Sequence, residues 1–202
     1  MSHNTWIHKA SRIVIVKPLL STKVTPNQLT SARLIFGLIA ACLLCFESSG
    51  AKDLGGLIFV LAMLLDRADG DLARLSGQTS EFGHTFDLIS DAICNSLIFV
   101  GLGVGLRSGE FGVMAIPMGL VAGLAVILIL FFVFKVEKQD GPRAAEFRGW
   151  NGVDVDDAVI AVPILIWLGA AEKLLIAAAF GAPFFAIFFI CKFMKKERIN
   201  KP

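Results

Sequence analysis

The chain has no tyrosine, and only 18% of its 202 residues are charged while 55% are hydrophobic. A soluble domain carries about 25% charged and about 45–50% apolar residues. Seventeen phenylalanines take up most of the aromatic content, and a phenyl ring has no hydroxyl that needs a partner in lipid. Histidine is scarce (His3, His8, His84), and so is cysteine (Cys42, Cys45, Cys94, Cys191). These shortages exclude a water-soluble globule, a disordered tail and a disulfide-stapled secreted module. Cys42-Leu-Leu-Cys45 has the spacing of a redox or metal pair. It has no second pair and no basic neighbour, so all four cysteines read as small hydrophobes in apolar runs. No cleavable signal peptide is expected, because Lys9, Arg12 and Lys17 interrupt the short apolar pieces of the first 20 residues. Internal repeats and low-complexity segments are lacking too.

What is abundant is the long apolar run. At about 20 residues per helical span, six spans are predicted, near 30–46, 54–75, 83–106, 112–134, 155–170 and 174–194. The fold class is therefore an all-α integral membrane protein with six transmembrane helices in one domain over residues 1–202. Residues 1–24 form a leader, 30–194 the bundle and 195–202 a tail. Within the leader, residues 4–20 form either an interfacial helix or an irregular segment. Thr25-Pro26-Asn27 breaks the chain, and Thr30 is the expected N-cap of the first span. Pro117, Pro163 and Pro183 fall within spans, where neighbouring helices can satisfy the freed backbone groups. Thirteen lysines and arginines lie in the segments on the side of the termini, against Lys52, Arg107 and Lys173 on the other. That bias places both termini in the cytoplasm.

Against this background, a set of charges sits where hydrocarbon is expected. Span two ends Asp66-Arg67-Ala68-Asp69-Gly70-Asp71-Leu72-Ala73-Arg74, and span three opens Gly83-His84-Thr85-Phe86-Asp87-Leu88-Ile89-Ser90-Asp91. A carboxylate at mid-bilayer costs on the order of 2.5–3.5 kcal/mol, and less near the interface. At about 100° per residue, Asp66, Asp69, Gly70, Ala73 and Arg74 share an arc of roughly 140°, with Asp71 well outside it and expected to be solvated. Gly83, Asp87 and Asp91 share one face of span three at i, i+4 and i+8. A short linker joins the two as an antiparallel hairpin, so the acidic faces can oppose each other at the cytoplasmic end. Four converging carboxylates cannot all ionise without positive charge between them. Two hard divalent cations with oxygen ligands would supply it, and a two-metal site suits displacement at phosphorus. Gly70 and Gly83 leave room for a ligand or a facing backbone, or serve close helix packing. Arg74 is placed to grip a diphosphate with its forked donors.

These residues spell Asp-x2-Asp-Gly-x2-Ala-Arg-x8-Gly-x3-Asp-x3-Asp, matched without departure by Asp66, Asp69, Gly70, Ala73, Arg74, Gly83, Asp87 and Asp91. The pattern resembles the signature of the class-I CDP-alcohol phosphotransferase family, as do the six spans, the cytoplasmic termini and the Thr25-Pro26-Asn27 lead-in. The resemblance implies a phospholipid-synthesis enzyme that moves a substituted phosphate from a CDP-linked donor to an alcohol and releases CMP. It implies two divalent ions, Mg²⁺ or Mn²⁺, on Asp66, Asp69 and Asp87, with Asp91 a ligand or close neighbour serving as general base. Gly70, Ala73, Arg74 and Gly83, with Asp66 and Asp69, would line the cytidine diphosphate site. It also implies a homodimer, and the setting expected is a bacterial inner membrane. No nucleic-acid partner is expected.

The donor expected is CDP-diacylglycerol, with a CDP-choline- or CDP-ethanolamine-type donor and a lipid acceptor as the alternative. The acceptor alcohol is not legible. Lys135, Lys138, Arg143 and Arg148 either meet a phosphorylated acceptor or only set topology, and Ala92 after Asp91 argues against a glycerol phosphate acceptor. Asp154, Asp156 and Asp157 either cap span five or meet a cationic acceptor. Arg33 either snorkels to lipid phosphates or lines the cavity, and His84 reads as an interfacial polar residue. Intramembrane prenyltransferases are a rival, but their two acidic motifs lie far apart. A non-enzymatic ion-binding transporter is another, but the acids cluster at one end of one hairpin.

Overall fold

In a computed structural model of the chain, residues 11–141 and 159–199 are described, and among them every regular element is helical. A leader helix, α1, runs through Arg12–Val16 in π-helical geometry and one α-helical turn, Lys17–Leu19. It is followed by α2 (Pro26–Leu44), α3 (Ser49–Ser76), α4 (Glu81–Gly105), α5 (Ala115–Asp140), α6 (Ala161–Trp167) and α7 (Ala171–Ile199). A 3₁₀ turn, Gly112–Met114, leads into α5. The segment expected to cap span five, with Asp154, Asp156 and Asp157, lies outside the described residues, as do Arg143 and Arg148.

The start of α2 corrects the sequence reading. Pro26 occupies the first helical position, where its fixed φ and missing N–H cost nothing. Gln28 Oε1 accepts a hydrogen bond from the Thr25 backbone N–H (3.0 Å), the back-reaching half of a capping box. Thr25 is thus the N-cap. Thr30 lies inside the helix and buried.

Among the described residues, four helical stretches are long and apolar enough to cross a membrane: Pro26–Leu44, Glu81–Gly105, Gly112–Gln139 and Ala171–Cys191. At 28 residues α3 is also long, about 42 Å at 1.5 Å per residue, but its last third carries the charges from Asp66 to Arg74. Leu124, Leu128 and Phe131 of α5 and Phe180, Phe184 and Ile187 of α7 are exposed. This outward apolar face is that of an integral membrane protein.

The order of packing decides where the charges go. α2 packs against both α3 and α4, while α3 and α4 scarcely touch along their backbones; α5 lies on α4, α7 on α5 and α6 on α3. The hairpin is therefore splayed, with α2 wedged into it. Ala40, Ala41 and Leu44 of α2 meet Phe59 of α3 and Ile98 and Leu102 of α4 in the main apolar core. The fit between α2 and α4 depends on small residues: a Cβ on Gly101 would strike the Ala41 carbonyl oxygen, and one on Gly37 would strike the Cys94 side chain. Cys94 is buried there, and all four cysteines are free.

At one end of the bundle Ser108 donates to Glu47 (2.9 Å) and the Glu110 N–H to Glu172 (2.9 Å). The chain starts α3 and α7 and ends α4 from that end, which holds Lys52, Arg107 and Lys173. The opposite end holds α1, the start of α2, the α3–α4 turn and the last turns of α5, and there the charged motif lies.

Candidate active site

The turn between α3 and α4 shapes the rim of the site. Gly77 ends α3 in the left-handed region (φ 71°), a conformation glycine adopts without strain, and the Gln78 N–H closes on the Ala73 carbonyl (3.0 Å). Ser80 then caps α4, its Oγ accepting from the Gly83 N–H (3.0 Å). A Cβ on Gly83 would lie 3.0 Å from Ser80 Oγ and 3.1 Å from Asn27 Oδ1. The bare Gly83 thus accommodates both the Ser80 cap and the Asn27 side chain at the start of α2, and it also borders the cleft.

Below the rim, α3 and α4 direct their acids to one place. Carboxylate oxygens of Asp66, Asp69 and Asp87 all lie within 4.8 Å of one another. Asp69 is buried and accepts from Thr30 Oγ1 at 2.6 Å, so α2 fixes its orientation. These are hard oxygen donors from two helices, aimed at a common point and held by a neighbour's hydrogen bond. That donor set fits a divalent cation such as Mg²⁺ or Mn²⁺.

Asp91 lies outside this triad, one turn further into the bundle. Its carboxylate takes the Arg33 Nη2 and has Asn95 Nδ2 at 3.5 Å. The other Arg33 nitrogen, Nη1, lies 3.0 Å from Asp66 Oδ1 and 3.1 Å from Asp87 Oδ1. One guanidinium thus touches three of the four motif aspartates, and Arg67 adds a second cation on Asp66. Arg33 is only 3% exposed, so it does not snorkel. It faces the acids because α2 fills the splayed hairpin.

Above the acids opens a cleft of about 170 Å³, bordered by Asn27, Thr30, Gly70, Ala73, Arg74 and Gly83 among others. It contains every motif residue that the resemblance assigned to the cytidine diphosphate site except Asp66. A Cβ on Gly70 would sit 3.4 Å from both Arg74 Nη atoms, an ordinary contact distance, so the guanidinium lies directly beside this residue.

Asp71 differs from expectation. It is fully buried rather than solvated, because α1 folds over it and Arg12 and Arg74 both donate to its carboxylate. His84 Nε2 lies 3.2 Å from Glu137 Oε2, tying the start of α4 to the end of α5. Lys135 lies 5.9 Å from the centroid of the Phe132 ring and is not among the residues bordering the cleft.

The cavity-lining reading of Arg33 is the one its burial supports, whereas the contact of Thr30 with Asp69 has no counterpart in the sequence reading. Asn27, Thr30, Arg33 and Gly37 recur at three- and four-residue spacing on one face of an otherwise apolar helix. That stripe was the available signal.

The family profile described as CDP-alcohol phosphatidyltransferase matches residues 23–184. A bifunctional IPC transferase and DIPP synthase of Rubrobacter xylanophilus is 31% identical over 160 residues, 79% of this chain and 35% of that protein. An archaetidylinositol phosphate synthase of Pyrococcus horikoshii is 34% identical over 91 residues, 45% of this chain and 47% of the relative. A CDP-diacylglycerol–glycerol-3-phosphate 3-phosphatidyltransferase of Rickettsia typhi is 39% identical over 71 residues, 35% of this chain and 40% of the relative. The chain thus spans less than half the length of each of these relatives. The family profile, in contrast, runs from the entry to α2 well into α7 and encloses the whole acidic cluster, and on that match the chain belongs to the CDP-alcohol phosphatidyltransferase family.

Proposed function

We propose that this protein transfers a phosphatidyl group from CDP-diacylglycerol to an alcohol acceptor and releases CMP. The observation that carries the reading is the convergence of Asp66, Asp69 and Asp87 within 4.8 Å directly below the cleft bordered by Gly70, Ala73 and Arg74. Asp66, Asp69 and Asp87 would hold Mg²⁺ or Mn²⁺, two ions in all with Asp91 as further ligand or neighbour. Bound there, the metal would neutralise the diphosphate and stabilise the departing CMP.

The remaining roles belong to the chain. Gly70 and Gly83 keep the cleft walls low, and Arg74 binds the diphosphate through its forked donors. Thr30 orients Asp69, and Arg33 orients Asp91. Asp91 takes the proton from the acceptor hydroxyl, whose oxygen forms a bond to the β-phosphorus while the bond from that phosphorus to the CMP oxygen breaks. On this reading Asp91→Asn loses turnover and keeps CDP binding; near-normal turnover in that variant removes Asp91 from the role of base.

The setting proposed is a six-span homodimer in a bacterial inner membrane, with both termini and the cleft on the cytoplasmic side. Four of the spans correspond to the long apolar helices, and the lysine and arginine bias supports the orientation. The relatives' names include glycerol-3-phosphate and inositol phosphate, so polyol phosphates come first among the acceptors to try. The test is an assay of the purified protein with CDP-diacylglycerol, Mg²⁺ or Mn²⁺ and a panel of alcohols and alcohol phosphates. CMP and a new phospholipid should appear together with at least one acceptor. Neither product with any acceptor overturns the choice of donor.

A further inference from the structure

Asp71 occupies a position that the family pattern leaves open, between Gly70 and Ala73. A buried carboxylate beside a site for a diphosphate anion is unexpected, since its field opposes the ligand. The surrounding contacts resolve this. Arg74 Nη2 donates to Asp71 Oδ1 at 2.7 Å, and Arg12 donates from Nε to Oδ2 (3.3 Å) and from Nη2 to Oδ1 (3.4 Å). Arg12 belongs to α1, which is seated on α3 independently of this contact. Val16 is buried with Leu29, Ala68 and Leu72, and Ser11 Oγ donates to the Leu64 carbonyl (3.1 Å).

Two guanidiniums and one carboxylate leave a formal surplus of one positive charge. Arg12 therefore offsets Asp71, and the charge of Arg74 is kept for the cleft it borders. Asp71 in turn holds the part-exposed Arg74 side chain beside Gly70 through the 2.7 Å hydrogen bond.

We propose that Asp71 is a positioning residue for the donor site: it fixes Arg74 at the cleft wall, and Arg12 of the leader helix supplies the charge that makes this compatible with binding a nucleoside diphosphate. The inference rests on the reading of the cleft as the CDP donor site. It makes the grip on the diphosphate depend on the seating of α1, which lies outside the motif.

The test uses the full chain in detergent or nanodiscs, with CDP affinity measured by calorimetry and CMP release measured against CDP-diacylglycerol concentration. Asp71→Ala should raise the donor KM and weaken CDP binding about tenfold, the effect of one charge-assisted hydrogen bond, with kcat within about twofold. Asp71→Asn, which restores an acceptor, should recover part of the loss. Arg12→Gln should also raise the KM, because the charge of Asp71 then opposes Arg74. In an Arg74→Gln background, Asp71→Ala should add almost nothing, since coupled residues are not additive. Arg12 and Arg74 are both part-exposed, so the variants strand no buried cation.

A merely structural Asp71 would lower kcat through loss of folded protein, leave the KM unchanged and act alike in both backgrounds, and that result overturns the inference. A lower KM in Asp71→Ala overturns it as well. If the unmodified protein neither binds CDP nor releases CMP, the reading of the cleft fails and the inference fails with it. If it does both while Asp71→Ala leaves the KM unchanged, only the inference fails.

Discussion

Replacing Arg33 by methionine removes the cation at the centre of the site and keeps most of its volume. The Arg33 side chain is 4% exposed and stands between Asp66, Asp87 and Asp91, where water cannot readily take its place. Breaking a buried ion pair by deleting one partner costs about 3–5 kcal/mol, because the other charge is left buried without compensation. For a chain of this size each kcal/mol shifts the midpoint by about 2–4 °C, so metal-free Arg33→Met in detergent should melt about 10 °C below the unmodified protein. Divalent cations bound as proposed at the same carboxylates would supply the missing charge. Saturating Mg²⁺ or Mn²⁺ should therefore raise the variant's midpoint more than the parent's and narrow the gap, a ligand at about 100 times its Kd contributing about 2.7 kcal/mol. Arg33→Lys should fall between them, since one ammonium cannot span three carboxylates as a planar fork does. The assay is thermal unfolding followed by intrinsic fluorescence, with and without chelator. A metal-free Arg33→Met midpoint within a degree or two of the parent, or a gap that metal does not narrow, refutes the argument that Arg33 compensates the acidic cluster.

Thr30→Val removes the 2.6 Å hydrogen bond that orients Asp69; a loss of about 1 kcal/mol should weaken Mn²⁺ binding about fivefold in an electron paramagnetic resonance titration, and unchanged binding would show that Asp69 orients itself. Gly101→Val drives a side chain into the Ala41 carbonyl and towards Leu44 Cβ. Overpacking of this kind costs about 1–3 kcal/mol and should push α2 away from α4, lowering both the melting midpoint and Mn²⁺ affinity. Gly181→Ala, which meets nothing within 4 Å, should change neither.

The acids on α3 and α4 were legible because charge in lipid is costly and because helical periodicity puts them on defined faces. The spans expected near 30–46 and 83–106 lie within about four residues of α2 and α4, whereas α3 starts five residues before 54 and α5 runs six past 134, through charged turns that an apolar run does not mark. α2's contribution was harder to see, since each residue has an ordinary reading: threonine near a helix start resembles a cap, and arginine near a membrane edge resembles a snorkelling side chain. What makes Thr30 and Arg33 part of the site is that α2 separates α3 from α4, and that arrangement depends on close fits such as Gly101 against Ala41. Asp71 was misread for a related reason. Its angle on α3 correctly set it apart from the acidic face, but only the folding of α1 across that side determines that it is buried and paired rather than solvated.

On the proposed function, transfer of the phosphatidyl group depends on a divalent cation held by Asp66, Asp69 and Asp87. The most direct measurement is CMP release from labelled CDP-diacylglycerol as Mn²⁺ is titrated into chelator-treated protein, with Asp87→Asn measured alongside. There should be no release without metal, saturable activation by it, and loss of both activation and tight Mn²⁺ binding in Asp87→Asn. Release that persists in excess chelator, or an Asp87→Asn protein that binds Mn²⁺ and turns over like its parent, would contradict that dependence.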